Sequence, residues 1–449
     1  MTWSLRTHFS ITLAVCLGSL ASLASCAEDE PSGWADVDVD ASAEARDGSI
    51  DPRDASEVPA EARVMIAAAD GEDSAPGTLE RPTSLTAALS RVVAGGTVYL
   101  RGGTYPFSDP LTIARDNNGS AAATKTLSQY QREAPLLDFA GGSESSCGLV
   151  IEADYWQVVG LIVRGAADAG IYVAGSHNRI ERCATFQNRG PGLQLGASSM
   201  STASDNLILN CESFDNDGEN ADGFSAKVGV GRGNVFRGCV AHHNLGDGWD
   251  LDTDTDAEVT IDQCVAHTNC SRTDGTHSAT RDCTGFKLGG AESAHVVTRS
   301  IAYFNDRNGF SWSGNRGALR LSNTLAFDNS SGNYAFGDAT ALSGAIFTND
   351  VSVWVEPSGA MSDALFGGDL GASNRFWFTT GSGAATSEFA SMLHNVRVAR
   401  TEAGDLDLSA FALAPQSALI DAGVVPEGTL PFDASYYRGN PDLGAVETP

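Results

Sequence analysis

Residues 220–227 read NADGFSAK, residues 244–251 read NLGDGWDL and residues 283–290 read CTGFKLGG. Each segment carries the same small pattern: one residue, a glycine, an aromatic ring, a variable residue and an apolar residue. Such segments are too short for helices, and they alternate apolar with polar in period two, as strands do. When the three are stacked, Asp222 lies over Asp247 and Asp250 lies over Lys287.

The pattern extends in both directions. It recurs as GIYV (170–173), GLQL (192–195) and GFSW (309–312), and in Asn333–Phe336. An anchor precedes each copy: Leu161, Cys183, Cys211, Cys239, Cys264, Ser300 and Thr324, spaced by 22 to 36 residues. Five residues past each anchor, from Cys183 on, stands an asparagine: Asn188, Asn216, Asn244, Asn269, Asn305 and Asn329. A repeat of this length, with short strands and Gly/Asn corners, is one coil of an all-β solenoid, the parallel β-helix. Like residues then stack at about 4.8 Å, with the asparagines in a hydrogen-bonded ladder. Leu193, Phe224, Trp249, Phe286, Phe310 and Tyr334 form an inward apolar column. Gln194, Ser225, Asp250, Lys287, Ser311 and Ala335 form an outward one. A leucine-rich repeat lacks support, because no Leu-x-Leu pattern with a helix per repeat is present. A β-sandwich does not explain six in-phase asparagines.

Upstream, residues 63–68 and 97–100 read as strands, and Ser84–Val93 as one short helix ended by Gly95-Gly96. This order resembles the entry of carbohydrate-active β-helices, where a capping helix covers the open end of the coil. Downstream, coils are expected through GAIFTNDVSVWV (344–355) and NRFWFTT (374–380). The stretch from LAPQSALIDAG to GNPDLGAVE resembles the C-terminal closure of secreted β-helix proteins. Residues 61–449 are thus expected to form one β-helix domain with its cap and closure.

The first 60 residues differ in kind. Arg6 and the apolar run 11–20, too short to span a membrane, read as an export signal over residues 1–25. Leu23-Ala24-Ser25-Cys26 resembles a bacterial lipobox, which implies cleavage before Cys26 and a lipid on it; an ordinary secretory cut is the alternative. Residues 26–60, acidic and poor in apolar residues, read as a disordered tether. The expected location is outside the cytoplasm, on a lipid anchor at the cell surface or outer membrane, or secreted.

A formal net charge of −29 over 449 residues argues against nucleic acid and anionic membranes as partners. Membrane contact is expected only through the lipid on Cys26, and the chain is expected to be a monomer. Cys183, Cys211, Cys239 and Cys264 share one ladder position and read as an apolar interior column; their spacing lacks the close pairs of zinc sites. Cys270 and Cys283 bracket the insertion in the 36-residue coil, where a disulfide would clamp the loop; the spacing alone leaves that pairing open.

The charged outward positions fall in the long coils. Asp222, Asp247 and Asp250 converge, and clustered carboxylates need a cation or a proton. Oxygen ligands without His or Cys suit Ca²⁺. Lys287 lies one strand spacing from Asp250. His242, His243 and His267 fall in the ladder segment and read as structural.

NADGFSAK, AHHNLGDGWDL and GFKLGG resemble the active-site strips of polysaccharide lyase family 9, the Ca²⁺-dependent pectate lyase type, through residues 150–340. The resemblance implies a right-handed coil, Ca²⁺ on Asp222, Asp247 and Asp250, and Lys287 as the base. It implies β-elimination on an acidic polysaccharide such as pectate, with Lys287 removing the C5 proton of a uronate. Lys227, outward on an adjacent coil, is a candidate for holding a second uronate, and simple solvation is its alternative. One departure stands at Gly246, where the family's Asp-Asp-Gly-Trp-Asp has a ligand. Water, a carbonyl or Asp252 would take its place. The alternatives are a glycoside hydrolase using Asp247 and Asp250 as an acid/base pair, and a carbohydrate-binding surface protein without catalysis.

Overall fold

A computed structural model describes residues 63–143, 146–196, 202–218, 220–252, 257–279, 283–290, 292–337, 344–355, 363–365, 370–378, 383–391, 398–401, 404–426 and 439–448. The expected export signal (1–25) and the 26–60 tether lie outside these residues.

Three parallel sheets of 11, 10 and 10 strands run side by side, and successive strands of the chain enter them in turn. This is the parallel β-helix. Its strands are two to five residues long, with one face packed inward, so the period-two pattern translates directly into core and surface. The first sheet begins with Val64–Ala67 and Thr97–Leu100, paired in register. Coils begin earlier than the repeat in the sequence suggests: strands Leu111–Ile113, Lys125–Gln129, Pro135–Asp138 and Leu149–Ile151 precede its first anchor, Leu161. They lack the ladder asparagines and so carry no in-phase marker.

The expected helix is Leu85–Arg91, with Ser84 as its N-cap: the Ser84 hydroxyl accepts from the Ala87 N–H. Leu85, Ala88 and Leu89 are buried in the same core as the first strands. The helix thereby covers the end rung.

The inward column stacks as expected. Ring centroids of Phe224 and Trp249 lie 4.8 Å apart, Trp249 and Phe286 4.7 Å, Phe286 and Phe310 4.9 Å, and Phe310 and Tyr334 5.3 Å. The asparagine ladder is continuous. Asn188, Asn216, Asn244, Asn269 and Asn305 each donate Nδ2 to the Oδ1 of the next, at 2.8–3.0 Å. Asn329 ends it on Asn333. A second ladder was not legible in the sequence. Asn178, Asn206 and Asn234 link by N–H to Oδ1 bonds at a different corner. His295 continues it by accepting the Val259 N–H.

Corners have a common backbone. The residue before each anchor from Cys183 on (Arg182, Asn210, Gly238, Gln263, Arg299, Asn323) and the residue before each ladder asparagine (Gln187, Asp215, His243, Thr268, Phe304, Asp328) all have φ between 48° and 63°. This left-handed conformation is rare outside glycine. The ladder bonds on the following residue hold it in place.

The four anchor cysteines are buried and unbonded to one another. Burial pushes the Cys183, Cys211 and Cys239 thiols well above their ordinary value, so they are inert apolar fillers. His242 and His267 stack within an outer aromatic column between Phe214 and Tyr303. Burial pushes His267 down, and His243 down to about 4, consistent with a structural role.

The described residues of the C-terminal stretch pack in two places. Phe376, buried against Tyr334 and Phe347, packs into the interior at the last coils. Leu406, Phe411, Leu413, Leu419 and Leu443 instead cover the outer face of the sheet that holds Val265, Tyr303 and Phe327. Arg400 reaches back to donate to the Gly238 and Cys211 carbonyls. The apolar outer face of that sheet drives this path, because uncovered it would leave Ile301, Tyr303 and Phe327 in water. Of NRFWFTT, residues 379–380 lie outside the described residues, and Arg375 forms an isolated parallel bridge with Val351.

Asp350 extends the anchor column. It is fully buried, its Oδ1 accepts from the Thr324 N–H and hydroxyl, and burial raises its pKa to about 7. The unfolded carboxyl ionises near pH 4. The folded state therefore binds the extra proton between those values, and the stability this group contributes is lost as pH rises from about 4 to 7. Asp350→Asn is expected to raise the Tm at pH 8 by several degrees and to change it little at pH 5. Equal shifts at both pH values would contradict this.

Candidate active site

Three strands of one sheet carry the site: Phe224–Lys227, Trp249–Asp252 and Phe286–Leu288. The register pairs Ser225 with Asp250 and Asp250 with Lys287, as the sequence pattern requires. Phe224, Trp249 and Phe286 point into the core, so the residues after them must point out. Asp222 and Asp247 stand at the turns that lead into their strands, each before a glycine.

Each turn carboxylate hooks the next coil. Asp222 Oδ1 accepts the Asp247 N–H at 2.9 Å, and Asp247 Oδ1 accepts the Thr284 N–H at 2.6 Å. Their second oxygens face lysines. Asp222 Oδ2 is 2.8 Å from Lys227 Nζ, and Asp247 Oδ2 is 3.4 Å from Lys287 Nζ. Asp250 is shared, with Oδ2 2.7 Å from Lys227 and Oδ1 3.1 Å from Lys287. The structure thus brings together all five residues singled out from the sequence. It places Lys227 inside the acidic cluster as an ion-paired group, rather than on a solvated ladder.

Burial raises Asp222 to about 6, with Lys227 pulling it down and Asp250 pushing it up. Burial and then the charge of Asp222 raise Asp247 to about 8. For both lysines burial opposes the charge, but the carboxylates outweigh it. Asp222 and Asp250 hold Lys227 above the usual lysine range, and Asp247 and Asp250 do so for Lys287. The carboxylates repel one another and keep both ammoniums protonated.

One oxygen or more from each of Asp222, Asp247 and Asp250 lies within 4.8 Å of the others, all three residues being buried. Oxygen-only donors at that separation fit a hard divalent cation. Ser225 adds an orphan: its hydroxyl is fully buried beside Asp250 and has no partner. The residues present therefore fit a metal ion. Asp252 is exposed and is not part of the cluster. At Gly246 an added Cβ would lie 2.6 Å from Asp222 Oδ1 and 2.8 Å from the Ala221 carbonyl carbon. In this chain the space of a side chain at 246 is filled by Asp222 itself. The acid/base pair of a hydrolase faces across a cleft, whereas Asp247 and Asp250 converge on one sheet face and share Lys287.

The insertion is clamped beside the site. Cys270 and Cys283 form a disulfide, and Thr273 donates its N–H to Asp215 Oδ1 at 2.8 Å. Arg272 lies 3.4 Å from Asp217. Cys283 directly precedes Thr284, whose N–H holds Asp247. Opening the disulfide by Cys270→Ser with Cys283→Ser is expected to lower stability by about 2–4 kcal/mol, seen as a lower midpoint in guanidinium. An unchanged midpoint would show that the loop is held by Asp215 and Asp217 alone.

Fold and strip together define a parallel β-helix with one acidic, lysine-flanked site on one sheet. Residues 65–349 match the family profile described as "Pel9A-like, right handed beta helix region". The chain is 41% identical over 390 residues to "Pectate lyase L" of Paenibacillus polymyxa (strain SC2), covering 82% of this chain and 84% of that one. It is 32% identical to "Pectate lyase L" of Dickeya dadantii (strain 3937), over 86% and 90% of the two chains. Among solved structures, that of pectate lyase Pel9A superposes with a TM-score of 0.71 at 30% identity, covering 86% of this chain and 96% of that one. A rhamnogalacturonan lyase shares the fold, with a TM-score of 0.64 at 22% identity. The chain belongs to the Pel9A-like family of right-handed β-helix proteins.

Proposed function

We propose that this protein is a pectate lyase that cleaves polygalacturonate by β-elimination, with Ca²⁺ on Asp222, Asp247 and Asp250 and with Lys287 as the base. The observation that carries the reading is Lys287 itself. It stands in register with Asp250, 3.1 Å from one carboxylate and 3.4 Å from another, and its side chain is 34% exposed. It is the more exposed of the two site lysines, Lys227 being 19% exposed.

A Ca²⁺ ion on these carboxylates would draw charge from the uronate carboxylate and so stabilise negative charge developing at C5. Lys287, in its neutral form, takes the C5 proton. The C–H electron pair becomes the C4–C5 double bond, the C4–O bond breaks, and the leaving oxygen takes a proton from water. A lysine ordinarily titrates at about pH 10.4, so the neutral form is scarce at pH 7. The rate is therefore expected to rise with pH into the alkaline range.

The chain is read as exported on the signal and lipobox of residues 1–26, with the acidic tether between anchor and coil. The disulfide beside the site agrees with an oxidising compartment. The substrate is an acidic polysaccharide, and the protein acts as a monomer.

The test is near-ultraviolet absorbance during incubation with polygalacturonate at alkaline pH, with Ca²⁺ and with chelator. A lyase product absorbs through its C4–C5 double bond. Reducing ends without absorbance would make the protein a hydrolase, and neither signal would make it a binding protein.

A further inference from the structure

Lys227 stands at the end of its strand, where a lysine ordinarily reaches into water. Its ammonium is instead 2.8 Å from Asp222 Oδ2 and 2.7 Å from Asp250 Oδ2, and its side chain is 19% exposed. Those oxygens belong to two of the three carboxylates that converge into a metal-sized cluster. Lys287 takes the other oxygen of Asp250 and one of Asp247. Without a metal, the two ammoniums offset the charge of the ionised carboxylates, which lets three buried carboxyl groups sit together.

A Ca²⁺ ion binds carboxylate oxygens at about 2.4 Å. An ion on Asp222 Oδ2 and Asp250 Oδ2 would be in contact with an ammonium that bonds the same two atoms. Like charges at that distance exclude each other. The lysine stem is long and unbranched, and a way out exists: Asp252, exposed, is the in-register neighbour of Lys227 on the adjoining strand. It offers a carboxylate at the rim, away from the cluster.

We propose that Lys227 is a built-in counter-cation that occupies the acidic site in the metal-free protein, and that Ca²⁺ binds by displacing it. This rests on the calcium reading above. Lys227 then sets how much free Ca²⁺ the site requires, and it keeps the site folded when Ca²⁺ is scarce. The role differs from that proposed for Lys287, whose ammonium is the more exposed of the two.

The test is calorimetric titration of Ca²⁺ into the purified metal-free protein, wild type against Lys227→Met and Lys227→Arg, with Tm measured in chelator and in saturating Ca²⁺. Methionine keeps the stem volume and removes the charge. The expected result is a Ca²⁺ Kd at least tenfold lower in Lys227→Met, a lower Tm in chelator, and a larger gain in Tm on adding Ca²⁺. Lys227→Arg keeps a competing charge and is expected to bind no more tightly than wild type. An equal or weaker Ca²⁺ affinity in Lys227→Met overturns the proposal and leaves the calcium site standing. Should Lys227→Met fail to fold in chelator, Lys227→Gln, with a polar end, replaces it in the same titration. If neither wild type nor variants bind Ca²⁺ at millimolar concentration, the calcium reading itself fails and takes the proposal with it.

Discussion

Lys287→Ala is expected to lower kcat on polygalacturonate by about 10³-fold or more, within the range set by loss of a general base, while Ca²⁺ affinity stays the same or rises. The side chain projects from the outer face of a strand whose inward residues, Phe286 and Leu288, are fully buried. Truncating it leaves the core intact, so the Tm should move little. Its ammonium lies 3.1 Å from Asp250 and 3.4 Å from Asp247, so removing it relieves the carboxylates of a competing cation. Lys287→Arg separates base from charge. Arginine restores the positive group but stays protonated at any working pH, so it should be as inactive as alanine. Initial near-ultraviolet rates and a calorimetric Ca²⁺ titration on the same preparations decide the matter. A variant keeping more than a tenth of wild-type kcat would remove Lys287 from the base role. Lys227 is the less exposed of the two lysines, its side chain 19% exposed against 34% for Lys287.

Asn244→Ala is the substitution expected to cost the most stability, about 3–5 kcal/mol. Asn244 is fully buried. Its Oδ1 accepts from the Asn216 N–H and Nδ2, and its Nδ2 donates to the Ser213 carbonyl at 3.1 Å and to Asn269 Oδ1 at 3.0 Å. Alanine leaves donors and acceptors of three coils unpaired in the interior, each costing about 1–3 kcal/mol. It also removes the bonds that stabilise the left-handed corner at His243. Asp247 follows three residues later, so the damage falls on the coil that carries the site, and Ca²⁺ affinity should drop with stability. Guanidinium denaturation measures the first effect, provided the m-value is unchanged, because repeat folds can lose two-state behaviour. Gln194→Ala, on the outward column, is the control and should be near neutral. A loss below about 1 kcal/mol at Asn244 would mean that water or backbone rearrangement satisfies the ladder.

Much of this architecture is local in origin and so is visible in the chain. Gly-aromatic-x-apolar segments fix which residues face inward, and a one-residue slip would turn Trp249 into water and Asp250 into the core. That constraint sets Ser225 beside Asp250 and Asp250 beside Lys287 before any coordinates exist. The six in-phase asparagines fix the coil in the same way, since each needs its neighbours for its hydrogen bonds. The early strands from Gly103–Pro106 to Leu149–Ile151 use neither marker, so the chain's period does not reveal them.

The sequence by itself determined the β-helix, the register of its site strands and the meeting of Asp222, Asp247, Asp250 and Lys287 on one face, because strand alternation and a buried repeat leave one way to stack. Only the tertiary structure decided where the mobile ends of side chains and distant segments come to rest. It placed Lys227 between Asp222 and Asp250, joined Cys270 to Cys283 and laid the C-terminal stretch along an outer sheet face. It also packed Asp222 into the space above Gly246. Each of these depends on a rotamer or on a distance through space, and neither is written in the period of the chain.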